Sequence, residues 1–314
     1  MSSGTHQPLL VIAGPTGSGK SGLAFALAQR LQGVIVNADA LQLYRDLRLL
    51  TARPSTSDEA LIPHRLYGIL GPDESSAAGW WRGRAVAAID EAWATKRLPI
   101  VVGGTGLYLK ALLEGLSPMP VIPDAVRQAA RALAERIGGP ALHADLARRD
   151  PLMAARLRPS DRQRVTRAWE VIEATGRSLA LWQAEKGQPF AARTHTILLM
   201  PERTALRASL DARFLAMVEG GGLDEARSLI ASPADWPIRR ALGLNELISY
   251  LKGEVSYPQA IAQAQAATRA YAKRQATWFR HQFRADQTQD AQFSERLLEE
   301  ILPKIRQFLL TEPG

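Results

Sequence analysis

The sequence predicts an α/β fold: a parallel-sheet core with helices on both faces, plus an inserted all-helical domain. Three observations carry that prediction. A glycine-rich loop lies between an apolar run and a helical pattern near the N-terminus. Two further short apolar runs, at 34–36 and 98–102, end in small and polar residues, as strands of a buried parallel sheet do. A proline-dense stretch at 116–123 opens a segment that reads as helical to about residue 193, before an apolar run at 196–200 returns to the sheet. The expected organisation is a core of residues 1–118 and 196–314 with a helical insertion at 119–195.

The first strand is Leu9–Ala13. After it, Gly14-Pro15-Thr16-Gly17-Ser18-Gly19-Lys20-Ser21 satisfies G-x-x-x-x-G-K-[ST] at every position and runs into a helix. Strand, glycine loop, helix is the P-loop NTPase-like arrangement. Glycines let successive backbone N–H groups converge on phosphate oxygens, and the helix N-terminus adds its positive end. Lys20 is expected at the terminal phosphate and the Ser21 hydroxyl at Mg²⁺. An ordinary glycine-rich turn is the alternative, but the register and flanks speak for a di- or triphosphate site. The loop alone favours a kinase or NTPase.

The second strand, Val34–Val36, leads into Asn37-Ala38-Asp39-Ala40-Leu41-Gln42-Leu43-Tyr44. Ligands of open α/β sheets sit beyond the carboxyl ends of the strands, so Asp39 falls on the rim that holds the phosphate loop. There it can serve as Mg²⁺ ligand, general base or helix N-cap. Residues 51–79 read as irregular and 80–96 as a helix. The strand 98–102 ends in Gly103-Gly104-Thr105-Gly106, which puts the Thr105 hydroxyl on the same rim or in a turn of its own. Beyond 200 the pattern is helical.

Composition is that of a globular chain, with 46% hydrophobic and 22% charged residues, so disorder is not indicated. The absence of cysteine excludes disulfides, thiolate catalysis and a cysteine zinc site, and it suits a reducing cytoplasm. No apolar run approaches the ~18 residues that span a bilayer, and Met1–His6 lacks the features of a signal peptide. The net charge of +8 points to a polyanionic partner. Segment 119–200 holds 13 basic against 8 acidic residues, compared with 11 against 9 before it and 15 against 14 after it. Arg148, Arg149, Arg156, Arg158, Arg162, Arg164 and Arg167 face only Asp150 and Asp161 in the local sequence. A solvated helix face and a nucleic-acid surface both fit them. Residues 269–284 interleave cations with aromatics, as an RNA-contacting surface or a packed amphipathic helix would.

Together these segments resemble the tRNA dimethylallyltransferase (tRNA isopentenyltransferase) family of bacterial type over essentially the whole chain. The resemblance rests on the phosphate loop, on residues 37–44, on Thr51-Ala52-Arg53-Pro54, and on Pro63-His64-Arg65-Leu66. It continues through Val102–Tyr108, Asp161–Val171, Thr175-Gly176, Ala267-Thr268-Arg269 and Lys273-Arg274-Gln275-x-Thr277-Trp278. It implies transfer of a dimethylallyl group from dimethylallyl diphosphate to N6 of adenosine 37, beside the anticodon in an A36-A37-A38 context, with Mg²⁺ and release of diphosphate. The loop would then hold an isoprenoid diphosphate rather than a nucleotide. Asp39 matches the catalytic base, Thr105 a residue of the reaction channel and Arg213 a clamp on the diphosphate. Asp39, Ala40, Leu41, Gln42 and Thr105 fall where the family meets the target base. Arg127, Gln163, Arg164, Val165, Thr166, Arg167 and Arg240 fall at tRNA contacts. A cytoplasmic, monomeric enzyme with no protein partner is implied.

The chain departs from the family at four places. Ala40 stands for a usual serine, Leu50 for a glycine, Gly68 for an acidic residue, and Gly243-Leu244-Asn245-Glu246 for Gly-Tyr-Arg-Gln. The altered 243–246 segment leaves a non-catalytic tRNA-binding paralogue as an alternative beside a small-molecule or nucleoside kinase, and the cysteine zinc finger of some eukaryotic relatives is absent.

Overall fold

The computed structural model describes residues 7–311. The expectation of no leader at residues 1–6, and that of a frayed end at 311–314 apart from Thr311, lie outside them. The central sheet has six parallel strands: β1 (Pro8–Ala13), β2 (Gly33–Asn37), β3 (His64–Arg65), β4 (Leu98–Gly103), β5 (Arg193–Leu199) and β6 (Gln287–Gln289). Their order is β3-β2-β4-β1-β5-β6. Leu9 to Ala13 of β1 have no exposed surface, which is why the strand reads as one apolar run. Ala13 pairs with Gly103 and Leu198, and Asn37 with Val102, so the central strands stop at one level. The loops after β1, β2 and β4 therefore emerge on one rim.

The helices are α1 (Lys20–Leu31), α2 (Thr56–Leu61), α3 (Ala78–Ala94), α4 (Gly106–Leu113), α5 (Asp124–Arg149), α6 (Pro151–Ala154), α7 (Arg162–Thr175), α8 (Leu179–Ala184), α9 (Arg203–Met217), α10 (Leu223–Ser228), α11 (Leu244–Leu251), α12 (Tyr257–Gln282) and α13 (Glu295–Leu310). Period-two alternation divides the sheet between two helical layers. Leu10, Ile12, Ile35, Ile100 and Val102 share one cluster with Leu23 and Leu27 of α1 and Leu298, Ile301 and Ile305 of α13. On the other face α3 packs along β2 and β4 through buried Trp81, Ala85 and Ile89. Long α12 starts cleanly because Ser256 and Gln259 form a capping box and Pro258 sits in the first turn, where no N–H is required.

Two strands escaped the sequence reading. β3 falls within the stretch taken as irregular, and β6 within the stretch taken as wholly helical. Both are edge strands of two or three residues with half-exposed polar side chains, so neither carries an apolar run. The helix expected at 80–96 starts and stops two residues earlier.

The chain divides into two compact units, 7–112 with 190–311 and 113–189 within the described residues. Both borders precede the expected 119 and 195 by six residues. At the first, Met119 and Ile122 of the proline-dense stretch pack into the helical unit, so the prolines belong to it rather than marking its edge. At the second, the Phe190 N–H donates to the Leu112 carbonyl and the Phe190 ring stacks on Trp93, which begins the core before β5 does. The helical unit comprises α5 to α8 around Leu142, Leu146, Val165, Trp169 and Val171. Its buried Asp150 caps α6 through the Met153 N–H at 2.9 Å and reaches the Leu179 N–H at 3.3 Å.

Candidate active site

The phosphate loop is shaped by what glycine permits. Gly17 and Gly19 take φ of +82° and +86°. A Cβ on Gly19 would lie 2.7 Å from the Phe293 backbone nitrogen, and one on Gly17 2.7 Å from Leu210 Cδ2. Gly19 caps α1, whose first residue, Lys20, is 8% exposed, while Ser21 beside it is exposed. The Ser18 hydroxyl is buried inside the loop with no hydrogen-bond partner among the described residues.

The loop is braced by two glutamines distant in sequence. Gln275 of α12 accepts from the Thr16 N–H at 2.8 Å and donates to the Gly104 carbonyl at 2.8 Å, tying the phosphate loop to the tip of β4. Gln292 donates to the Gly17 carbonyl at 2.9 Å. Arg213 of α9 donates from Nη2 to Thr16 Oγ1 at 2.7 Å, which aims its guanidinium at the loop's open side. We expect Gln275→Ala to leave two inward-facing backbone groups unpaired. That should cost about 1–3 kcal/mol for each, read by denaturant unfolding.

Asp39 is placed by its neighbours in the same turn. Asn37, fully buried, accepts from the Asp39 N–H at 2.8 Å and donates to the Asp39 carbonyl at 2.9 Å. Trp81 fixes Asn37 in turn by donating to its carbonyl at 2.8 Å. One carboxylate oxygen of Asp39 accepts from the Leu41 N–H at 3.0 Å. The N-cap alternative is not realised: Ala40 caps the single 3₁₀ turn Leu41–Leu43, and the Asp39 carboxylate closes a two-residue turn before it. Thr105 Oγ1 accepts from the Ala40 N–H at 2.9 Å, keeping its own hydrogen for another acceptor. The hydroxyl bond from a turn to the neighbouring rim loop uses the backbone of Ala40, so the usual serine side chain is not required for it.

Two left-handed residues explain the flanking motifs. Ala52 and Leu66 have φ of +54° and +64°. Gln42 donates to the carbonyls of Thr51 and Ala52 at 2.9 and 3.0 Å, and Asn37 to that of Leu66 at 2.9 Å. Gln42, expected against the target base, spends its amide nitrogen on this loop. Gly68 also has a physical reason: a Cβ there would lie 2.4 Å from Arg53 Nη1, which donates to the Tyr44 carbonyl at 3.2 Å.

Thr16, Asp39, Thr51, Arg213 and Tyr271 share one cavity with an apolar wall of Leu41, Leu50, Leu210, Phe214, Met217 and Leu242. The Asp39 carboxylate acts on charges within and beyond that lining. Burial lowers Lys20 from 10.5 to about 8, the Asp39 charge opposes that shift, and Arg213 reinforces it. Burial likewise lowers Arg213 against the pull of Asp39. Burial and then the Asp39 charge raise Tyr67 and Tyr271. Lys20, Arg213 and the two tyrosines therefore all feel the one carboxylate.

A family model for IPP transferase matches residues 42–282, and one for isopentenyl transferase matches residues 7–69. The chain belongs to the IPP transferase family. It is 52% identical over 312 residues to a tRNA dimethylallyltransferase of Paramagnetospirillum magneticum, covering 98% of this chain and 99% of that one. It is 50% identical over 306 residues to the tRNA dimethylallyltransferase of Rhodospirillum rubrum, covering 96% and 94%. The crystal structure of a tRNA isopentenylpyrophosphate transferase from Bacillus halodurans superimposes with a TM-score of 0.70 at 32% identity, covering 96% of this chain and 97% of that one. A eukaryotic dimethylallyltransferase acting on tRNA superimposes with a TM-score of 0.73 at 26% identity, covering 87% and 70%. These likenesses set the kinase and NTPase reading aside.

The other predicted contact residues of this IPP transferase are spread over both units. In the sheet unit, Arg240 is exposed, and its charge reaches Tyr44. In the helical unit, Gln163 and Arg164 point outward from α7, whereas Val165 is fully buried in that unit's core and offers no side chain to RNA. Thr166 donates its hydroxyl to the Arg162 carbonyl. The arginine run is more neutralised than its local sequence suggests, because helical spacing and packing bring in other acids. Asp145 pairs with Arg148 and Arg149, Glu173 with Arg149, and Glu170 with Arg167 at 2.9 Å. Asp124 lies 3.6 Å from Arg127. Asp150, counted as opposing charge, is buried as a cap instead. Residues 269–284 divide their roles along α12: Ala272, Gln275 and Phe279 are buried, while Lys273, Thr277 and Arg280 line an open cleft of about 290 Å³ against α9.

Proposed function

We infer that this chain transfers a dimethylallyl group from dimethylallyl diphosphate to N6 of adenosine 37 in the anticodon stem-loop of tRNA, in the cytoplasm. The coarser statement stands on the family: the chain is a tRNA-modifying prenyltransferase. The finer one is supported by a single juxtaposition. Thr16 of the phosphate loop, the Arg213 guanidinium that it holds, the Asp39 carboxylate and an apolar wall line one cavity. The apolar wall suits the hydrocarbon tail of an isoprenoid donor beside its diphosphate.

In this reading the phosphate loop, Lys20 and Arg213 hold the diphosphate and absorb charge as the C1–O bond breaks and its electron pair leaves with the diphosphate. N6 of the adenine attacks C1, and the N6 proton passes to Asp39 as the N–C bond forms. Thr105 orients the amine from the neighbouring loop. Mg²⁺ would supply further neutralisation of the leaving group. The exposed Ser21 hydroxyl at the start of α1 fits it. No cluster of three or more acidic or histidine ligands occurs among the described residues, so diphosphate oxygens and water would complete its shell. The target base must leave its stack at a cost of a few kcal/mol, which phosphate contacts from exposed arginines such as Arg164 and Arg240 offset.

Calorimetric titration with dimethylallyl diphosphate and with ATP, each with and without Mg²⁺, tests the donor. The reading expects Mg²⁺-dependent binding of the isoprenoid diphosphate and no turnover of ATP. Hydrolysis of ATP, with no binding of the isoprenoid, would overturn it.

A further inference from the structure

The loop at residues 47–53 supplies Leu50 and Thr51 to the cavity that holds Asp39. It closes on itself: the Ala52 N–H donates to the Leu49 carbonyl and the Arg53 N–H to the Arg48 carbonyl, each at 2.9 Å. That closure leaves the successive N–H groups of Arg48, Leu49 and Leu50 without an acceptor inside the loop. Successive N–H groups in a turn form a concavity that binds an anion. Here the anion is the carboxylate of Glu225. One of its oxygens accepts from Arg48 and Leu49 at 2.8 and 2.7 Å, and the other from Leu50 at 3.0 Å.

Glu225 reaches the loop from α10, which follows a π turn at Val218–Gly222. Single π turns are rare and collect at functional sites. Gly221 takes φ of +114° in it, and a Cβ on Gly222 would come within 2.9 Å of Leu50 Cδ2, so the turn lies directly against the loop. The loop passes this grip on through its carbonyls. Those of Thr51 and Ala52 accept from the Gln42 amide at 2.9 and 3.0 Å. Gln42 belongs to the Leu41–Leu43 turn, and the first N–H of that turn donates to the Asp39 carboxylate at 3.0 Å. A continuous run of backbone and hydrogen bonds therefore joins Glu225 to Asp39. Resting on the role of Asp39 given above, we propose that Glu225 is a positioning residue for prenyl transfer. By filling the 48–50 concavity it fixes the loop that seats Gln42, and with it the aim of the Asp39 carboxylate.

The test measures kcat and KM for transfer from dimethylallyl diphosphate to an anticodon stem-loop, using the full chain, with RNA binding and melting curves in parallel. Glu225→Ala should lower kcat by roughly ten- to hundredfold, the scale on which a small misplacement of a reacting group acts. RNA affinity and both KM values should stay near wild type. Added acetate, which can refill the emptied concavity, should raise kcat of this variant and leave wild type unchanged. In Glu225→Ala combined with Asp39→Asn, kcat should fall no further than in Asp39→Asn alone, because the group that Glu225 aims is already gone. Glu225→Gln keeps the shape and one acceptor oxygen, so it carries the test if the alanine variant unfolds, and its kcat should lie between the two. A carboxylate that only fastened the loop would lower the melting temperature and leave kcat unchanged. That result in a folded variant would overturn the proposal, as would losses that multiply in the double variant. Wild-type kcat in Asp39→Asn would instead overturn the role of Asp39, and the proposal with it.

Discussion

Replacing Asp39 with asparagine should lower kcat for prenyl transfer by roughly 10²–10⁴-fold, the usual contribution of a positioned general base. An exocyclic adenine amine has its lone pair delocalised into the ring, so it attacks well only while its proton is being removed. Asparagine has the same shape and retains an oxygen to accept the Leu41 N–H, which Asp39 now receives at 3.0 Å. The turn held by Asn37 and Trp81 should therefore survive, with RNA affinity and melting temperature close to wild type. A second effect follows from the coupled charges. The Asp39 carboxylate supports the charge on Lys20, so its removal should move the alkaline limb of the diphosphate-binding profile to lower pH. Single-turnover kinetics across pH, with RNA binding measured in parallel, checks both. A drop in kcat of less than tenfold would remove Asp39 from the role of base.

Lys20→Met should separate function from stability. In function, the loss of a buried cation at the leaving group should cost roughly 10²–10³-fold in kcat, as for a lost preorganised donor. In stability the sign is reversed. The folded lysine titrates at about 8 against 10.5 when exposed, so the unfolded chain binds more protons between those two values. Wild-type stability therefore rises as pH climbs from about 8 to 10.5. Below pH 8 the full burial cost, about 3 kcal/mol, is present. The methionine variant should be more stable than wild type at pH 7 without ligand, and its melting temperature should lack that alkaline rise. For wild type, kcat/KM for the diphosphate should fall as pH rises through 8, because the ammonium that grips the phosphate is lost. Melting curves from pH 6 to 10.5 and a pH profile of kcat/KM measure the two halves. A variant less stable than wild type at pH 7 would contradict the buried-cation account.

What the sequence made legible follows from how each feature is encoded. The phosphate loop and strands β1, β2 and β4 are encoded locally, by glycine spacing and by apolar runs covered on both faces. The rim position of Asp39 and Thr105 then follows from strand polarity alone. Gln275, Gln292 and Glu225 were not read as site residues. Each acts on backbone more than 170 residues away in the chain, and a glutamine on a long helix gives no sign of which loop it will meet. The pairing of the insertion's arginines was missed for a related reason, since a count of nearby acids ignores the three- and four-residue spacing that sets contacts on a helix. The altered segment at 243–246 has a structural reading that sequence comparison alone did not supply. Gly243 keeps its left-handed cap, Leu244 is fully buried, and Asn245 donates to the Arg239 carbonyl at 2.8 Å. The substituted residues thus serve α11 and its junction.

The central claim is that a phosphate loop here holds an isoprenoid diphosphate for attack by a tRNA base. Its most direct test is the mass of an anticodon stem-loop containing A36-A37-A38 after incubation with dimethylallyl diphosphate and Mg²⁺, wild type beside Asp39→Ala. The account predicts a gain of one isopentenyl unit on adenosine 37 with wild type, and none with the variant although the RNA still binds. An RNA that binds wild type but gains no mass, with ATP consumed in its place, would contradict it.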